Sequence, residues 1–177
     1  MDWQPRSDLI GGEQHISILP SPISRLGLIS DTHGLLRPDV HAALAGVQMI
    51  LHAGDVGGDE ILDELSIIAP VHAVFGNTDP PGNPRLRAAI EMVVHGVRIH
   101  VSHGHELGAP KPERLLSRYA ADVIVFGHTH EPLVVSADGR LVVNPGAAGP
   151  ARFDIKPSVA ILEIEGTRAD ARIVPLD

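Results

Sequence analysis

One pattern repeated along the chain constrains its fold most: an aliphatic run of strand character, a glycine, then a side chain able to hold a metal. It occurs as Ala53-Gly54-Asp55, Phe75-Gly76-Asn77 and Phe126-Gly127-His128, and His103-Gly104 inverts it. In open α/β sheets ligands bind beyond the carboxyl ends of strands, so donors placed this way can meet at one edge. Glycine beside them lets the backbone bend sharply and approach a bound ion. Asp31-Thr32-His33 and His128-Thr129-His130 add donors two residues apart. A near-extended segment would turn such alternate side chains to one side. Spacing alone leaves open whether His128 and His130 hold one ion or serve two.

The periodicity around these donors predicts alternating strands and helices. Residues 25–30 (RLGLIS), 48–53 (QMILHA) and 71–75 read as strands, and residues 38–45 and 60–69 as helices between them. A β-α-β-α-β order is the signature of parallel sheet units. Segment 77–84 is too rich in Pro, Gly and Asn to be regular. A helix is expected over 112–120, opened by Pro112, and a strand over 123–126. Runs 88–94 and 97–102, 133–137 and 141–143, and 159–164 and 169–174 flank turn signals and predict hairpins. The second half is therefore expected to be strand-rich and largely antiparallel.

A length of 177 residues fits one domain, assigned to 25–177, with residues 1–24 expected to form a flexible N-terminal extension. That extension carries no basic-then-apolar leader pattern. No run approaches the roughly 18 apolar residues of a membrane helix. Cysteine is absent, which excludes disulfides, thiolate metal sites and cysteine nucleophiles. Together these predict a cytoplasmic protein with no membrane partner. A net charge of −8 without a Lys/Arg cluster argues against stable nucleic-acid binding. Neither a Gly-x-Ser-x-Gly elbow nor a phosphate-binding Gly-x-x-x-x-Gly-Lys loop is present.

The candidate metal ligands are Asp31, His33, Asp55, Asn77, His103, His128 and His130. Nitrogen and oxygen donors without sulfur suit Mn²⁺ first, with Ni²⁺, Fe²⁺, Co²⁺ or Zn²⁺ as alternatives, rather than Ca²⁺. Seven ligands exceed the needs of one ion, so two divalent ions sharing a carboxylate are expected. Such a centre keeps net positive charge after Asp31 and Asp55 are counted against it and attracts a small phosphoester. His105 reads either as a solvated loop residue or as a phosphate contact and proton donor. Thr78 reads as a turn hydroxyl or a lining of the substrate pocket, and Asp79 as a turn cap or a support for a ligand. His52 and His72 read as core histidines, His52 close enough to Asp55 to support it. Asn144 reads as a turn residue at a hairpin end.

Asp31-Thr32-His33, Gly54-Asp55, Gly76-Asn77-Thr78-Asp79, His103-Gly104-His105 and Gly127-His128-Thr129-His130 occur in the order of the calcineurin-like metallophosphoesterases. The compact chain most resembles the small single-domain YfcE-type phosphodiesterases, over residue 25 to the C-terminus. The resemblance implies a four-layer α/β/β/α sandwich with two mixed sheets flanked by helices. It assigns Asp31, His33 and His130 to one ion, Asn77, His103 and His128 to the other, and Asp55 to a bridge. It implies attack on phosphorus by a metal-bridging hydroxide, with Asp55, Asn77 and His105 in catalytic roles and Asn77, Thr78 and His105 against substrate. Many relatives carry His where Thr78 stands, so proton donation would fall to His105 or water, or the substrate would need a good leaving group. Two alternatives come with the fold: a phosphomonoesterase, and a protein-interaction scaffold like the retromer subunit, which has lost metal histidines that this chain keeps. Hairpin edges in the second half offer a surface for homo-oligomers.

Overall fold

The computed structural model describes residues 23–152 and 154–177, so most of the expected N-terminal extension lies outside the described residues. Among the described residues, eleven strands and three short α-helices follow one another. The first half holds β1 (Ile23–Ile29), α1 (Asp39–Ala43), β2 (Met49–His52), α2 (Asp59–Ser66), β3 (Val71–Val74), β4 (Leu86–Arg87) and β5 (Ile90–Val94). The second holds β6 (Val97–Val101), a 3-10 turn (His105–Leu107), α3 (Pro112–Arg118), β7 (Val123–Val125), β8 (Leu133–Ala137), β9 (Arg140–Asn144), β10 (Ser158–Glu165) and β11 (Arg168–Pro175). β1 begins two residues before the expected start of the domain. The two-residue β4 escapes periodicity because it is too short to show one.

One sheet has the order β11-β10-β1-β2-β3-β4 and the other β5-β6-β7-β9-β8. Alternation explains their stacking. Leu26, Leu28 and Leu51 of the first sheet meet Val97, Ile99, Val101, Val123 and Val125 of the second in a core between the sheets. The opposite face of the first sheet, with Ile29, Ile50 and Ile161, packs on Val40 and Leu44 of the α1 region and on Ile61, Leu62 and Leu65 of α2. Ile124, Phe126 and Val142 on the outer face of the second sheet pack on Leu115 of α3. Strands apolar on both faces read as near-continuous hydrophobic runs, as RLGLIS and QMILHA do. The result is the expected four layers, with a thin outer helix layer over the second sheet.

The second half is largely antiparallel, as expected, but it contains one parallel unit that the hairpin signals did not show. β7 runs parallel to both β6 and β9. α3 returns the chain between β6 and β7, and the β8–β9 hairpin brings β9 back in the direction of β7. The antiparallel pairs lie outside this unit, at β5–β6, β8–β9, β1–β10 and β10–β11. The consequence is positional. β1, β2 and β3 are parallel in one sheet and β6 and β7 in the other, so their carboxyl ends open on shared sites of loop structure. Open edges remain at β11, β4, β5 and β8.

Candidate metal centre

The loops after those five strands carry the seven candidate ligands. Asp31 and Asp55 are buried, at 0% and 2% exposure, and so are His103 and His130. His33 and His128 are half-buried, whereas Asn77 is exposed. Two carboxylates this deep cannot stay ionised without partners. Asp31 Oδ2 accepts hydrogen bonds from Ser30 Oγ at 2.6 Å and from the His128 backbone N–H at 3.1 Å. Asp55 Oδ1 accepts the Thr78 backbone N–H at 2.9 Å. Burial works to raise the Asp55 pKa, but hydrogen bonds from His103 and Thr78 outweigh it and hold the group well below the usual carboxylate range.

Asp31 Oδ1 is buried and has no hydrogen-bond partner. It faces His130 Nε2 at 3.1 Å and His33 Nε2 at 3.8 Å, and the two imidazole nitrogens lie 3.4 Å apart. A cation central to this triangle would sit roughly 2 Å from each atom, the usual distance for Zn²⁺ with nitrogen or carboxylate oxygen. An orphaned carboxylate oxygen and two convergent nitrogens therefore fit a divalent ion.

The neighbouring group shares Asp55. His103 Nδ1 donates to the Ala53 carbonyl at 2.7 Å, which turns Nε2 toward Asn77 Oδ1 at 3.1 Å and Asp55 Oδ2 at 3.3 Å. A backbone acceptor on the far nitrogen is the usual way a metal-binding imidazole is oriented. Burial lowers the His103 pKa, but the Asp55 hydrogen bond, the Asp31 charge and the Ala53 carbonyl leave it raised overall. Asp55 Oδ2 also lies 3.7 Å from His33 Nε2, so this oxygen faces donors of both groups. His128 packs edge-on against His103 with ring centroids 5.2 Å apart, and burial followed by the His103 charge lowers its pKa. Compact donor groups form at Asp31, His33 and His130 and at Asp31, Asp55 and His103, and His128 stands beside them.

Backbone shape corrects one sequence expectation. Asp31, His33, Asp55, His128 and His130 all have positive φ, between 46° and 68°, so neither two-residue spacing is extended. Left-handed residues, not alternation along a strand, turn these side chains inward. The glycines also act mainly through space. A Cβ at Gly76 would lie 2.0 Å from Asp55 Oδ1 and 2.4 Å from its backbone N, and one at Gly127 would lie 2.0 Å from Ser30 Oγ.

The loops are fastened by residues that the sequence pattern ranked low or missed. The Asp79 carboxylate accepts the N–H groups of Val56, Gly57 and Gly76, tying the loops that carry Asp55 and Asn77. Asn144 does more than close a turn. Its Nδ2 donates to Gly127 O and Thr129 Oγ1, and its Oδ1 accepts the Gly146 N–H, which fixes the loop holding His128 and His130. His52 Nδ1 accepts the Gly54 N–H, so its Nε2 donates to Thr32 Oγ1, which in turn donates to Val56 O. Ser30 carried no sequence signal, because a buried strand-end serine resembles any other. His72 is half-buried rather than in the core. His105 is half-buried beside His103 and Phe75, with ring centroids at 5.3 and 6.3 Å, and its buried Nδ1 lacks a hydrogen-bond partner, the Glu106 carboxylate lying 3.8 Å away. Thr78 is exposed next to Asn77.

Residues 25–167 match the model of the calcineurin-like phosphoesterase superfamily domain. A probable metallophosphoesterase from Methanothermobacter thermautotrophicus is 33% identical over 159 residues, covering 84% of this chain and 91% of that protein. A phosphodiesterase from Methanocaldococcus jannaschii is 26% identical over 162 residues, covering 80% of this chain and 93% of that one. Among solved structures, vacuolar protein sorting 29 from Cryptosporidium parvum superposes with a TM-score of 0.78 at 24% identity, covering 88% of this chain and 92% of that one. No helix among the described residues is long and apolar enough to cross a membrane.

Two outcomes test this geometry. Gly76→Ala must displace Asp55, whereas Gly46→Ala meets nothing within 4 Å and pays only for its φ of +78°. Urea unfolding should show Gly76→Ala destabilised by at least about 2 kcal/mol and Gly46→Ala by about 1 kcal/mol. Equal costs would contradict the packing described. Burial pushes His52 down to about 4 from 6.5. Between those values the unfolded chain takes up a proton that the native chain refuses, so stability from neutral His52 is complete above 6.5 and lost as pH falls toward 4. His52→Gln in chelator should remove on the order of 3 kcal/mol of that pH dependence. An unchanged slope of unfolding free energy between pH 6.5 and 4 would refute the assignment.

Proposed function

The chain belongs to the calcineurin-like phosphoesterase superfamily, and from that premise we propose that the clustered carboxylates and imidazoles form a two-cation centre hydrolysing a phosphodiester. The observation carrying the reading is the orphaned Asp31 Oδ1 facing His33 and His130, beside an Asp55 oxygen that faces both His33 and His103. Asp31, His33 and His130 would hold one ion, and Asn77, His103 and His128 the other, with Asp55 between them. Divalent ions so placed supply a water of lowered pKa as nucleophile and neutralise charge on the attacking and leaving oxygens. Mn²⁺ is the proposed ion, with Ni²⁺, Fe²⁺, Co²⁺ and Zn²⁺ as competitors for the same nitrogen and oxygen donors.

The chain's own residues have distinct tasks. Ser30, the His128 N–H and the Thr78 N–H fix one oxygen of each carboxylate and leave the other free for a cation. The Ala53 carbonyl takes the His103 Nδ1 proton and leaves Nε2 as the nitrogen that would bind a cation. The Asn77 amide stands at the exposed side, where a phosphoryl oxygen enters. His105 or water would give a proton to the departing alkoxide, because Thr78 stands where many relatives carry a histidine. Thr78 lines the approach. The named relative from M. jannaschii supports a diester over a monoester. A scaffold role, suggested by the sorting-protein fold, does not need the seven donors kept here, so we set it second. A cytoplasmic location and a small soluble substrate accompany the enzymatic reading.

Hydrolysis of bis(p-nitrophenyl) phosphate by metal-stripped protein should appear on adding Mn²⁺ and vanish with chelator. Asp55→Asn should lower kcat/KM at least roughly 100-fold, with bound metal reduced in parallel. Turnover indifferent to chelator would refute the metal mechanism. A wild-type chain inactive with every divalent ion would instead favour the scaffold.

A further inference from the structure

The strand-glycine-donor pattern places a phenylalanine before the glycine twice, and the two have different surroundings. Phe126, ahead of Gly127-His128, is 2% exposed and packs with Ile124 and Val142 in the core under α3. Phe75, ahead of Gly76-Asn77, is 39% exposed, although Ala73 and Val74 just before it are buried. A large aromatic ring normally stabilises a fold by leaving water, and this one forgoes part of that gain. Its backbone is held on both sides. The Phe75 N–H donates to Arg87 O at 2.9 Å, and the Gly76 N–H donates to Asp79 Oδ2 at 2.8 Å.

The ring emerges at the ligand cluster. Its centroid lies 6.3 Å from that of His105, and His105 in turn lies 5.3 Å from His103 and 6.3 Å from His128. One imidazole therefore separates Phe75 from two of the candidate ligands. Phe75 and His105 are tilted by 53°, so neither ring lies flat on the other. Asn77 stands two residues further on, its Cα no more than roughly 7 Å from that of Phe75. Solitary exposed apolar side chains are ordinary on protein surfaces. Phe75 differs in bordering the residues assigned to the phosphoryl group. We infer that Phe75, with His105 at its side, forms an aromatic shelf at the mouth of the cluster, and that the shelf binds a flat aromatic ring carried by the phosphoester. The inference rests on the hydrolytic reading of that cluster. A phosphoryl group at Asn77 brings within reach of Phe75 a ring joined to it through one or a few atoms. Offset or edge-to-face contact then favours an aromatic ring over a saturated ring of similar size.

Phosphonates that share one anchor and resist hydrolysis test the shelf. Calorimetric titration of Mn²⁺-loaded wild type should give a Kd for benzylphosphonate at least roughly threefold below that for cyclohexylmethylphosphonate, with methylphosphonate weakest. Phe75→Leu should bring the benzyl and cyclohexylmethyl values within twofold of each other, and Phe75→Tyr should keep the gap. Adenosine 5′-monophosphate against ribose 5-phosphate identifies the ring. A comparable gain from the base supports a nucleobase on the shelf, and a gain confined to benzylphosphonate supports an aryl group close to phosphorus. Equal binding of all three phosphonates would overturn the shelf and leave the hydrolytic reading standing. A benzyl preference that survives in Phe75→Leu would also overturn it. A benzyl preference lost in Phe75→Leu, in a chain that hydrolyses no ester, would support the shelf and remove only the hydrolytic reading. Failure of every phosphonate to bind would overturn both.

Discussion

Everything about the ligand edge follows from burying two carboxylates side by side among imidazoles. Asp31 and Asp55 are removed from water almost completely, and each has one oxygen satisfied by protein donors. The second oxygen of each points at imidazole nitrogens. A protein interior sustains such charge only where hydrogen bonds or positive groups complete it. Folding energy from the sheet cores and the two helix-facing layers is thus partly spent on holding an anionic, donor-rich cleft open. That arrangement is the physical content of family membership for this chain.

The cost is visible in the backbone. Among the described residues, seven other than glycine have positive φ. Two of them, His95 and Asp138, sit in hairpin turns where such geometry is ordinary. The other five are Asp31, His33, Asp55, His128 and His130. Strain of that kind persists only where the surroundings over-determine it. Here Asp79, Asn144 and the His52–Thr32 pair each bind several backbone groups of the strained loops. His52 works because burial keeps it neutral, with one nitrogen accepting and the other donating.

Much of this was legible in the residues. The glycine-then-donor repeat at Asp55, Asn77 and His128 marked strand ends before any contact was known, and all three lie where parallel strands finish. The near-continuous apolar runs RLGLIS and QMILHA marked strands, and both prove buried on two faces. Three features stayed hidden for physical reasons. The parallel pairing of β7 depends on which strand the β8–β9 hairpin returns to, a long-range fact that local turn chemistry does not encode. The inward turn of Asp31 and His33 comes from left-handed backbone that these residue types do not announce. Asn144 and Ser30 act across the fold on loops distant in sequence, so no spacing ties them to the ligands they support.

The central claim is that two cations complete the charge of this cleft, sharing Asp55. Anomalous diffraction from crystals soaked in Mn²⁺ tests it most directly. The account predicts two peaks, one roughly 2 Å from ligand atoms of Asp31, His33 and His130, the other near Asn77, His103 and His128, with Asp55 in contact with both. A single peak, or Mn²⁺ bound away from Asp31 and Asp55 in a chain whose side chains keep the positions described, would contradict it.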